Sequence, residues 1–82
     1  MHLEIITPEK KLFAGEIKLL KVPGTKGSFE ILKNHAPIIS TLEKGSVKIV
    51  NPEGIQTTFD IGGGVIEAKE NNIIILAETA QG

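Results

Sequence analysis

His35, the triplet Gly62-Gly63-Gly64 and the segment Gly24-Thr25-Lys26-Gly27-Ser28 are the residues whose types and spacing invite a chemical reading. A histidine acts as a general base only with a nucleophile or an orienting carboxylate in reach. Nothing in Asn34-His35-Ala36-Pro37 supplies one. That tetrapeptide reads as a turn, with His35 either hydrogen-bonded to backbone or presented to a partner. His2 and His35 are the only histidines and there is no cysteine, so no set of zinc ligands can be assembled. The ten Asp and Glu side chains show neither calcium-loop order nor the paired spacing of a glycosidase. A phosphate loop must open a helix, but Gly62-Gly63-Gly64 runs into Val65-Ile66-Glu67, which reads as a strand. Gly24 to Ser28 lacks the glycine, lysine and hydroxyl order of a nucleotide-binding loop. The triplet therefore reads as a bulge or tight crossover, where backbones approach closely. A small hydrolase is disfavoured, and no catalytic, metal or cofactor-binding residue is assigned.

The elements that would position these residues are short strands. Isoleucine recurs throughout the chain, and branched side chains favour pleated surfaces over helices. Glycine and proline interrupt the sequence often, leaving segments at 3–7, 16–22, 28–32, 38–42, 45–51, 55–61, 65–68 and 73–77 that read as strands. Asn51-Pro52-Glu53-Gly54 is a strong hairpin turn, and Lys69-Glu70-Asn71-Asn72 is a second polar one. Val47 and Ile49 alternate with Lys48 and Val50, as a half-buried strand requires. Other strands are not cleanly polar on either side, which suggests a second cover supplied by another protein. No sustained helical period appears.

The length of 82 residues predicts a single domain, 1–82, with a thin margin of stability. The missing cysteine fits a reducing compartment. A net charge of −1, interleaved signs and the absence of Trp and Tyr argue against nucleic acid. Apolar runs such as 73–77 are far too short to cross a bilayer, so no direct membrane insertion is expected. No charged start followed by an apolar stretch marks a signal peptide.

Read in order, several segments carry a resemblance. They are Leu3-Glu4-Ile5-Ile6-Thr7-Pro8-Glu9, Leu12-Phe13-Ala14-Gly15-Glu16-Ile17, Pro23-Gly24 with Gly27, Phe29-Glu30-Ile31-Leu32 and His35-Ala36-Pro37-Ile38. Gly45-Ser46-Val47-Lys48-Ile49 follows, then Phe59 to Glu67 and Asn72 to Ala80. Together they nearly span the chain, and it resembles the N-terminal β domain of the epsilon subunit of rotary F-type ATP synthases. The resemblance implies an all-β fold, a flattened sandwich of two antiparallel sheets with about eight to ten short strands. It implies a non-catalytic rotor-stalk subunit of a proton-translocating enzyme, without a cofactor, coupling proton flow to ATP synthesis. It places the chain peripherally on the cytoplasmic face of a bacterial inner membrane, as part of a complex.

The implied partners are the gamma subunit, facing Thr7, His35 and Ser40, and the polar loops of the c-ring, facing Lys26, Gly27, Ser28 and Glu30. Many relatives carry an acidic residue at the position of Ser28, so the acid contribution falls here to Glu30. Most relatives continue past Ala80 into a two-helix hairpin, which in some binds ATP. No nucleotide site and no extended-arm inhibition are therefore expected of this polypeptide. The competing reading is a freestanding small β module that binds a peptide or glycan. Such modules usually present surface aromatics or a concave polar groove, whereas Phe13, Phe29 and Phe59 all sit in apolar strand context that suits a core.

Overall fold

The computed structural model describes residues 1–81. Eight strands account for the fold: β1 His2–Ile6, β2 Lys11–Glu16, β3 Leu19–Val22, β4 Phe29–Leu32, β5 Ile38–Val50, β6 Gln56–Lys69, β7 Asn72–Ala77 and β8 Ala80–Gln81. No helix occurs among the described residues. All strands join one hydrogen-bonded sheet in the order β2-β1-β7-β6-β5-β3-β4, with β8 beside β6. Pairing is antiparallel except between β1 and β7, which run parallel from His2 beside Asn72 to Ile6 beside Leu76.

The all-strand class is as the sequence predicts, but the arrangement is more continuous. Segments 38–42 and 45–51 fuse into the 13 residues of β5, and 55–61 and 65–68 into the 14 of β6. The glycines do not end these strands; they bend them. On β6, Phe59 and Ile61 face the core before the bend, and Ile66 and Ala68 after it, so the buried side changes parity. On β5 the change falls between Leu42 and Val47. The β5–β6 register never slips, yet Glu43 and Gly63 do not pair. Instead the Glu43 amide donates to the Pro23 carbonyl at 2.8 Å and the Glu78 amide to the Gly63 carbonyl at 3.0 Å. Gly63 has φ 109°, a conformation cheap only without a Cβ. A Cβ on Gly64 would overlap the Leu76 carbonyl oxygen.

This corner folds the sheet over. Phe13 on β2 and Phe59 on β6 stack edge to face with centroids 5.9 Å apart. In a flat sheet β2 and β6 would lie three strand spacings apart, about 14 Å. One core results, filled from the first half by Leu3, Ile5, Ile66, Ile73 and Ile75, and from the second by Leu20, Val22, Ile31, Val47 and Ile49.

The segment 16–22 is not one strand. After Glu16 the chain changes partner: the Ile17 amide donates to the Met1 carbonyl and the Lys18 amide to that of Val50, both at 2.8 Å. Both predicted turns form. The Gly54 amide closes on the Asn51 carbonyl at 2.9 Å. Glu70 and Asn71 take φ 53° and 62°, the paired left-handed geometry that suits the twist of a two-residue hairpin.

Asn71 also clasps the turn before β5. Its Oδ1 accepts from the Asn34 amide at 2.9 Å, and its Nδ2 donates to Asn34 Oδ1 at 3.3 Å. Asn71→Ala is expected to cost about 1–2 kcal/mol, since alanine in the left-handed region is penalised and the clasp is lost. Asn71→Gly is expected to recover the backbone share. Urea denaturation of the three chains separates the two contributions.

Candidate functional site

The outward side of the first half is the most distinctive surface. Register places Ile6, Leu76, Val65 and Thr41 side by side across β1, β7, β6 and β5. The next row holds Glu4, Ile74, Glu67 and Ile39. Ile39 is 76% exposed, Leu76 52%, Val65 41% and Ile74 38%. Their strand neighbours Ile66, Ile73 and Ile75 point the other way and are fully buried. The run Ile73-Ile74-Ile75-Leu76 thus supplies the core from one side of β7 and an apolar surface from the other. Ile6, Ile39, Val65, Glu67, Ile74 and Leu76 line a shallow depression of about 350 Å³. Exposed aliphatics that adjoin one another across strands make this face the candidate site. Full burial of such a side chain from full exposure is worth about 1.5–3 kcal/mol, and covering each of these gains only its still-exposed fraction of that, before the costs of association.

At one end of the face, Thr7 is 8% exposed and committed to its own turn. Its Oγ1 donates to the Lys10 carbonyl at 3.2 Å and accepts from the Lys10 amide at 3.3 Å. At the other end, beyond Pro37, His35 is half-buried. Its Nδ1 lies 3.0 Å from the Ala36 carbonyl oxygen, the backbone bond expected of a turn histidine. Its Nε2 is enclosed without a hydrogen-bond partner.

Ser40 stands opposite the fully buried Ile66, in the row of β5 that includes Leu42 and faces inward, whereas Ile39 and Thr41 face out. It is half-buried, and its hydroxyl donates to the Thr41 carbonyl at 3.2 Å. Lys26, Gly27, Ser28 and Glu30 are all exposed. Gly27, at φ 125°, closes its turn through its amide on the Gly24 carbonyl at 2.9 Å. This loop is tied to β5 by a 2.9 Å bond between the Thr25 and Thr41 hydroxyls. Lys26, Ser28, Ile39 and Ser40 border a common depression of about 550 Å³. The fold therefore brings Ser40 and the Lys26–Ser28 loop together and leaves Thr7 and His35 at separate ends.

The outward aliphatics and Glu67 were not singled out by sequence reasoning. The signal that could have found them is the unbroken apolar run at 73–77, which leaves no polar side to β7.

The chain matches, over residues 1–82, the family described as ATP synthase, Delta/Epsilon chain, beta-sandwich domain. It is similar to the ATP synthase epsilon chain of Chlorobaculum tepidum, 41% identical over 76 residues, which cover 93% of this chain and 86% of that one. It is also similar to the ATP synthase epsilon chain of Nitrosococcus oceani, 35% identical over 81 residues, but there spans only 58% of the relative's length. Among solved structures, a chain in the Euglena gracilis mitochondrial ATP synthase assembly of OSCP, F1 and c-ring superposes with a TM-score of 0.90 at 16% identity. The match covers 96% of this chain and 51% of that one, and it establishes a shared fold.

Proposed function

The chain belongs to the family of ATP synthase delta/epsilon β-sandwich domains, and from that premise we propose that it is the non-catalytic epsilon subunit in the rotor of a proton-translocating F-type ATP synthase. Its role is mechanical. One surface grips the gamma subunit, and a loop at the sandwich edge rests on the polar loops of the c-ring, so that torque passes between proton flow and ATP synthesis. The complex holds the subunit peripherally at the cytoplasmic face of a bacterial inner membrane. No helix among the described residues is long and apolar enough to cross a membrane.

The observation that carries this reading is the outward aliphatic face of Ile6, Ile39, Val65, Ile74 and Leu76. Apolar burial there supplies affinity for gamma, with Thr7, His35 and Ser40 at its ends and edge; Lys26, Gly27, Ser28 and Glu30 supply the contact with the ring. Similarity to proteins named ATP synthase epsilon chain supports the assignment. The test is to mix the purified chain with its own gamma subunit at micromolar concentration and follow both by size-exclusion chromatography. A co-eluting complex is expected; separate elution overturns the reading.

A further inference from the structure

Glu67 is out of place in the face just described. Its cross-strand neighbours are Ile39 on β5 and Ile74 on β7, and it helps line the aliphatic depression. Among the described residues no cation lies within 4.0 Å of it. Glu4, in the same row, is different: Lys11 and His2 each approach its carboxylate to 3.5 Å. One carboxylate of the row is thus provided for within the chain, and the other is left to solvent.

We infer that the partner seated on this face carries a cationic side chain, arginine or lysine, set within an otherwise apolar surface and aimed at Glu67. The inference rests on the reading that this face is the docking surface, and it adds the chemistry of what docks. An apolar surface laid over Glu67 would strip water from a carboxylate and return nothing, a large penalty. A hydrogen-bonded counter-charge offsets that penalty and helps to fix the rotational register of the two proteins. Arginine suits the place better than lysine, because its guanidinium sheds water more readily and bonds a carboxylate with two parallel N–H groups. Lys69, two residues along β6, is the one alternative source on the same strand face.

The experiment measures the affinity of the full chain for its own gamma subunit by titration calorimetry, with circular dichroism melts to verify folding. Glu67→Gln and Glu67→Leu are each expected to weaken binding about thirtyfold or more, as when one member of a buried charge pair is truncated. Glu67→Lys is expected to abolish it, and Glu67→Asp to retain more affinity than Glu67→Gln. Lys69→Gln is expected to change little. Wild-type affinity in Glu67→Leu overturns the inference. So does a Lys69→Gln variant that loses as much as Glu67→Gln, with the double variant no worse, because the counter-charge would then be internal. Leu76→Asp separates the levels. If it loses binding while Glu67→Leu does not, the docking surface stands and only the cation falls. If both bind like wild type, the surface itself is wrong and both ideas fall.

Discussion

Gly64→Ala is expected to remove a large share of the chain's stability. The added Cβ would overlap the Leu76 carbonyl oxygen and stand 3.0 Å from the Ala77 Cα. Both obstacles are backbone, so no rotamer change relieves them. Relief requires β6 and β7 to part where Gly64 faces Ala77 and Val65 faces Leu76. That would also pull on β1, whose parallel partner is β7. We expect a cost of about 3–5 kcal/mol, at the upper end for a single substitution. A chain of 82 residues holds only about 4–12 kcal/mol in total. The midpoint of thermal unfolding is expected to fall by roughly 15–30 °C. Gly15→Ala is the matched control. Its Cβ would meet only the Phe13 ring edge at 3.5 Å, an ordinary contact. It is expected to be neutral or to stabilise by a fraction of about 1 kcal/mol. Equal stability of the two variants, measured by urea denaturation, would remove the claim that the bend demands glycine.

Leu76→Asp is expected to weaken gamma binding at least about a hundredfold while changing stability by about 1 kcal/mol or less. Leu76 is 52% exposed and lies between Ile6 and Val65 across the strands. A carboxylate there stays hydrated in the free chain, but it must be dehydrated against an apolar partner. Ile75→Asp makes the contrast plain. Ile75 is the preceding residue on the same strand and is 0% exposed, so the same substitution there is expected to abolish folding. Chromatography with gamma reads the first effect and circular dichroism the second. Wild-type affinity for Leu76→Asp would remove the face from the proposed mechanism.

The sequence carried the strands and hairpins because their signals are local. Alternation at Val47 to Val50, the Asn51 to Gly54 turn and the Lys69 to Asn72 turn depend on residues within a few positions of one another. The sheet corner was only half legible. Gly62-Gly63-Gly64 announced a bend, but that the strand survives it depends on Glu43 and Gly63 finding Pro23 and Glu78, which are distant in sequence. The parallel pairing of β1 with β7 left no local trace. The break after Glu16 was hidden because Ile17, Leu19 and Lys21 alternate with Lys18, Leu20 and Val22 as a single strand would, although the Ile17 amide bonds to Met1 and the Lys18 amide to Val50. Of the candidate site, the resemblance supplied Thr7, His35 and Ser40. The aliphatic face needed the register, since only the cross-strand pairing shows that Ile39, Val65, Ile74 and Leu76 converge.

The wedging of β1 between β2 and β7 bears on how the polypeptide is made. Of the eight described strands β1 is made first, yet it has its parallel partner only when residues 72–77 have emerged. Until then Leu3 and Ile5 lack one of the two strands that flank them, and a nascent chain keeps an open apolar seam. Synthesis would therefore leave the sheet open beside β1 until β7 has emerged. Long-range closures of this kind fold slowly, and a chaperone has that whole interval in which to act.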